Sequence, residues 1–207
     1  IPTQLKDIKL SQYQKFIITT KDSDDENFIA RQIVAIFCNI TDEVVDMIKA
    51  KDYESIVKQI TEVLNDKPQH VLKFKMDGVK YGFIPKLEDI TVGEKADLDN
   101  YLQDVKDMDK AMAVLYRPIL SEVNGRYLIE PYKGDGDSLD ITLDVAFGAS
   151  VFFSNLMKDL LNCTQNFIED QVAHNHKVSQ ILEENGVGIA TFMPSLKEMF
   201  SDLKKFL

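Results

Sequence analysis

From Val71 to Ile84 the chain reads VLKFKMDGVKYGFI, with apolar and polar residues alternating on both sides of Asp77-Gly78. Asp-Gly accommodates the positive φ angles of a two-residue turn whose twist matches that of paired strands. The pattern predicts a hairpin with strands 71–76 and 79–84, pairing Met76 with Val79, Phe74 with Tyr81 and Leu72 with Phe83. A period of two then gathers these six on one face and leaves Lys73, Lys75, Lys80 and Gly82 on the other. Leu72, Phe74, Tyr81 and Phe83 are expected to be buried and the three lysines exposed. An isolated hairpin is marginal in water, so its apolar face needs a cover, for which the next two helices are the candidates.

Those helices carry a period of 3.6. Thr91-Val92-Gly93-Glu94 is a capping box, and Leu98, Tyr101, Leu102 and Val105 follow on one face. Asp107 is placed to cap a second helix with the stripe Met108, Ala111, Met112 and Leu115, stopped at Arg117-Pro118 because proline disfavours helical geometry in the residue before it. Upstream, Ser11 with Gln14 forms another candidate capping box, opening a short helix to about Thr19. The acidic end of KDSDDE suits the start of a helix burying Ile29, Ile33, Ile36 and Phe37. Thr41 is expected to cap a helix presenting Val44 and Ile48, and Asp52 one presenting Ile56, Ile60, Val63 and Leu64, ended at Asp66-Lys67-Pro68.

Downstream, Asn124-Gly125 predicts a second hairpin, strands 119–122 and 126–129, with Leu120 and Ile129 paired on one face and Val123 and Leu128 on the other. Pro131 to Asp144 reads as an acidic loop. A long helix is expected over about 144–172, with Ala149, Phe152, Phe153, Leu156, Leu160, Cys163 and Phe167 as its stripe, interrupted only by Gly148. After a polar section broken at Asn185-Gly186, a terminal amphipathic helix follows. It places Leu196, Met199, Phe200, Leu203 and Phe206 on one face, and these five are the candidate interaction residues. The class is therefore α+β and mainly helical. The organisation is a helical lobe at 1–68, a hairpin-and-helix core at 69–188 and the terminal helix at 189–207, most simply within one domain.

Composition adds exclusions. A net charge of −10 over 207 residues opposes a nucleic-acid partner, which needs clustered Lys and Arg. The row of Lys73, Lys75 and Lys80 reads as a solvated strand face that discourages edge aggregation. Cys38 and Cys163 read as reduced, buried thiols. The longest apolar-or-small run, Val145 to Phe153, is far short of the ~20 residues of a membrane span. A chain that begins at Ile1 and ends on Phe206-Leu207 reads as an excerpt of a longer one.

Candidate chemistry is thin. His174-x-His176 lacks a third ligand at a recognisable spacing. Asp135-x-Asp137-x-x-Asp140 lacks the glycine and the glutamate of a calcium loop. Gly134-Asp135-Gly136 has no Gly-Lys-Ser/Thr after it, and no Ser or Cys stands in a nucleophile elbow. The expectation is a non-enzyme with no metal and no cofactor.

Tyr81-Gly82-Phe83-Ile84-Pro85, Asp89-Ile90-Thr91-Val92-Gly93-Glu94, Asp97-Leu98-Asp99 and Lys110-Ala111-Met112-Ala113-Val114-Leu115-Tyr116-Arg117-Pro118 resemble a family of small proteins of tailed bacteriophages, including gut phages of the crAss-like kind. Asp7 to Gln14, Leu143 to Ala146 and Val151-Phe152-Phe153 fit the same pattern, so the resemblance covers most of residues 7 to 160. It implies virion morphogenesis and assigns no residue a role. Two readings follow from it: a structural subunit repeated in a ring at the portal or tail, favoured by the long helix and hairpins, or a tail-assembly chaperone shielding an apolar partner helix. An enzyme or host-takeover factor is a third class. The implied partners are other phage structural or assembly proteins and further copies of the chain, with no membrane. The implied location is the virion, and the host cytoplasm during assembly.

Overall fold

The computed structural model describes residues 1–134 and 137–153, the side chain of Glu88 excepted. Four helices come first: α1 (Leu10–Thr20), α2 (Glu26–Phe37), α3 (Asp42–Asp46) and α4 (Ala50–Leu64). The strands β1 (Lys73–Met76) and β2 (Val79–Phe83) follow, then helices α5 (Val92–Tyr101) and α6 (Met108–Leu115), then strands β3 (Tyr116–Val123) and β4 (Arg126–Ile129). Residues 143–153 are helical and form α7 as far as it is described. The class is α+β, mainly helical, as the periodicities predict.

The first hairpin has the predicted register, with Phe74 opposite Tyr81 and Met76 opposite Val79, and Asp77 and Gly78 both turn with positive φ. The two hairpins join through β2 and β3 into one antiparallel sheet of order β1-β2-β3-β4. β3 starts earlier than the sequence suggests: α6 ends at Leu115, and Tyr116 enters the sheet without a loop. Pro118 thus lies within a strand instead of stopping a helix. Its carbonyl accepts the Glu130 N–H at 2.9 Å, and since proline has no N–H to return the bond, the ladder ends there.

The second hairpin corrects the predicted pairing. Ile119, not Leu120, faces Ile129, and the register shifts between Ile119 and Ser121. Leu120 is the extra residue of a bulge and stands 58% exposed. Val123 and Leu128 do share a face, which is open to solvent.

Burial of the first hairpin is graded. Phe83 is buried at 3% exposure, Phe74 and Tyr81 are half-buried, and Leu72 is 55% exposed, against expectation. The rings that meet this face come from His70, Tyr116, Phe152 and Phe153, and Phe74, Met76 and Tyr81 pack against the core to which α5 and α6 also contribute. Leu72 stands opposite Phe83, beside the start of the edge strand β1, so the rings cover Phe83 on β2 and leave the neighbouring sheet edge open.

Helix starts are partly as predicted. Asp25 caps α2 through the N–H groups of Asn27 and Phe28, and the Thr91–Glu94 box forms in full. At α1 the cap is Lys9, whose N–H is taken by the Gln12 side chain, while Gln14 is turned inward to donate to the carbonyls of Val105 and Lys106. Ser11 instead donates its N–H and hydroxyl to the Asp140 carboxylate at 2.9 and 3.1 Å. α4 starts at Ala50, so Asp52 lies in its first turn and does not cap it. In α3 the buried residue is Val45, and Val44 is exposed. The α6 stripe of Met108, Ala111, Met112 and Leu115 is fully buried, as read from its spacing.

One core runs from Leu5 to Ala149, joining α1, α2 and α4 to α5, α6, the sheet and α7. The acidic loop after β4 contributes Leu139 and Ile141 to it, with Leu143 at the start of α7, an i, i+2, i+4 pattern that its polar neighbours hide. There the chain returns to its beginning: Lys9 bridges Thr142, Leu10 N–H donates to Ile141 and Leu143 N–H to Ile8. Gly148 is required where α7 crosses the lead into β1, since a Cβ there would lie 2.4 Å from the Gln69 carbonyl oxygen. The expected continuation of the long helix to 172, with Leu156, Leu160, Cys163 and Phe167, lies outside the described residues, as does the terminal helix.

Candidate functional site

The most built polar centre joins α5, β3 and the loop after β4. The capping box turns Glu94 back toward the start of its helix, where one carboxylate oxygen accepts the Thr91 N–H at 2.7 Å. The other oxygen lies 2.6 Å from Nη2 of Arg117, with side-chain exposures of 6% for Glu94 and 11% for Arg117. Arg117 reaches it from the second position of β3, opposite Gly82. Its guanidinium faces the Tyr132 ring at 5.9 Å, a cation–π approach. The Tyr132 hydroxyl donates to Asp97 at 2.5 Å, returning the chain of contacts to α5.

Beside this centre is a cavity of about 170 Å³ whose lining includes Tyr81, Lys110, Arg117, Tyr132, Ser138 and Leu139. Its cations are compensated: Lys110 pairs with Asp107 at 2.7 Å and Lys133 with Glu130 at 3.4 Å. Burial pushes the Glu94 carboxyl up, but the Thr91 hydrogen bonds and the Arg117 charge outweigh this and hold it below the usual carboxylate range. Glu94 is therefore ionised at neutral pH, and a guanidinium does not release its proton. Such a pair is suited to fastening, not to proton transfer. The Nε of Arg117 is buried without a hydrogen-bond partner.

A second polar network lies on the lysine face of the sheet. Gly82 has no side chain, and the Tyr127 ring crosses from β4 into the gap, donating its hydroxyl to the Phe83 carbonyl at 2.8 Å. Lys73 lies 5.6 Å from the centre of that ring and 2.6 Å from Glu122 in β3, and Lys80 lies 3.8 Å from the same carboxylate. The lysine row is exposed as predicted, with two of its three members engaged by Glu122. Charge pairs at this exposure contribute little stability each.

The interaction residues Leu196, Met199, Phe200, Leu203 and Phe206, the pair His174 and His176, Cys163 and Asp135 all lie outside the described residues. Asp137 is exposed, and Asp140 is used to hold Ser11. Cys38 is half-buried, and burial raises its thiol pKa. Among the described residues no group of three or more His, Cys, Asp or Glu side chains is placed to hold a metal ion. Also among them, no helix is long and apolar enough to cross a membrane.

Sequence reasoning missed Arg117 and Tyr132. Arg117 precedes a proline and reads as part of a helix stop, and Tyr132 sits among charged residues. A usable signal existed for the first: a capping Glu leaves one carboxylate oxygen free, and a cation is its natural partner. No family model matches the chain, and neither a curated protein nor a solved structure was found to match it.

Proposed function

We propose that this chain is a non-enzymatic morphogenesis protein of a tailed bacteriophage, a structural subunit repeated in a ring at the portal or tail of the virion. The observation that carries the reading is where the phage-like strings fall. Gly82 leaves the gap for Tyr127, Thr91 and Glu94 form the capping box, Asp97 accepts from Tyr132, and Arg117 closes the buried pair. The resemblance is thus concentrated in residues that fasten α5, β2, β3 and the following loop together. A fastened scaffold suits a subunit that must present the same surface to identical neighbours. Its partners are further copies of itself and other virion proteins, in the virion and, before assembly, in the host cytoplasm.

Quantitative protein analysis of purified phage particles tests this. A multiple of copies per virion matching a ring symmetry is the expected result. Absence from particles, with the chain bound to a tail protein in infected-cell extract, overturns it in favour of an assembly chaperone.

A further inference from the structure

His70 stands between the sheet and α7 in a slot made of aromatic rings. Its imidazole stacks on Phe152 at 4.3 Å between ring centres and meets Phe83 edge-on at 4.5 Å. Phe83 also meets Phe152 at 5.5 Å and Phe153 at 6.1 Å. Nε2 of His70 is buried with no hydrogen-bond partner, which a neutral ring tolerates far better than a charged one. The backbone behind it lies hard against α7: a Cβ on Gly148 would stand 2.4 Å from the Gln69 carbonyl oxygen and 3.3 Å from the His70 Cα.

Among the described residues no carboxylate is placed to receive a charge on this ring. α7 as described carries one charged residue, Asp144, whose Oδ1 is buried without a hydrogen-bond partner. Its charge is felt at the Tyr116 hydroxyl and not at His70, whose pKa is lowered by burial alone. From β3, that hydroxyl donates to the Val71 carbonyl at 2.8 Å. On β1 and β2 the charged side chains are Lys73, Lys75 and Lys80, which lie on the opposite face of the sheet.

We propose that His70 is an acid-released latch, which holds α7 on the sheet while its ring is neutral and frees it when the ring is protonated. An imidazolium has two N–H donors, and the buried one meets only apolar rings. Attraction of the charged ring to Phe152 opposes release, but it does not replace the water lost by a buried ionised group. The ring regains that water by leaving the slot, which parts Phe152 from Phe83 and bares an aromatic surface. Linkage fixes the direction. Held in the slot, His70 resists protonation; released, it takes a proton near the ordinary value of about 6.5. The latch is at full strength above that value and weakens as pH falls toward the lower pKa of the closed state.

Hydrogen exchange of the full chain at about pH 7.5 and about pH 5.5, on either side of the free imidazole value, tests this after correction for intrinsic exchange rates. His174→Gln and His176→Gln are included so that His70 is the one imidazole left to titrate. An undocked helix end has no packing to hold its hydrogen bonds, so protection of residues 149–153 should fall about tenfold on acidification, the factor that one pH step below the free value confers. Protection of α6 should stay unchanged. In His70→Phe and in His70→Gln, neither of which takes a proton, protection of 149–153 should be the same at both pH values, and either variant suffices if the other does not fold. Unchanged protection in the parent, or an equal acid loss in the non-ionising variant, overturns the proposal. An equal fall in α6 overturns it as well, by showing general unfolding instead of release of α7.

Discussion

The Tyr127 ring occupies the place where any side chain at position 82 would stand: a Cβ on Gly82 would lie 2.5 Å from Cε2 of Tyr127 and 3.0 Å from a side-chain carbon of Ile119. The glycine is required by this crossing, since its φ needs no left-handed geometry. Gly82→Ala should therefore destabilise the protein by about 1–3 kcal/mol, the usual cost of overpacking. Gly93, in the first turn of α5 with nothing within 4 Å of its built Cβ, is the control. Gly93→Ala should be neutral or stabilising by up to about 1 kcal/mol. Urea midpoints of the two variants check the contrast.

Breaking the Glu94–Arg117 pair should be costly. Both side chains are nearly buried, and removing one partner strands the other charge, which typically costs about 3–5 kcal/mol. Arg117→Met is expected in this range, and a double variant with Glu94→Gln should recover part of the loss, as read in a double-mutant cycle.

The same carboxylate gives a pH dependence. Glu94 has a folded pKa below its unfolded value, so its contribution is fully present above the unfolded pKa of about 4.3. It is lost as pH falls through the lower folded pKa. Unfolding free energy measured from pH 7 down to 2 should drop more steeply in the parent than in Glu94→Gln.

The uneven cover of the first hairpin predicts unequal truncations. Phe83→Ala should cost about 3–5 kcal/mol, and Leu72→Ala within about 0.5 kcal/mol, despite their shared place in the alternating pattern. Similar costs at both positions would show that the cover over Phe83 extends across to the β1 edge.

Local signals in the sequence were legible wherever two agreed. The Asp77-Gly78 turn and the alternation around it defined the register of β1 and β2, and the spacing of Met108, Ala111, Met112 and Leu115 identified the buried face of α6. What remained hidden depended on partners distant in the chain. Ser11 looked like a cap for its own helix because nothing near it shows that Asp140 will be adjacent. Leu72 looked like Phe83 because alternation reports a face and not how far its cover extends. Pro118 looked like a helix stop because a proline inside a strand is tolerated only where the neighbouring ladder ends, as it does at Ile129. The polar centre was obscured for the same reason: Glu94, Arg117 and Tyr132 come from three elements, and only the capping box among their contacts is local.

The return of residues 141–143 to Ile8 and Leu10 has a consequence for synthesis. A ribosome releases the chain from its first residue onward, so the backbone groups of Ile8 and Leu10 wait for partners some 130 positions later. Until Ile141 and Leu143 have emerged, the first helix lacks these anchors and Leu5, Ile8 and Leu10 lack part of their burial. Closing so long a loop is slow compared with forming the local hairpin. The opening segment should then become protected only after the local hairpins have formed, although it is made before them, and chains stalled before residue 141 should remain open to proteases near Ile8.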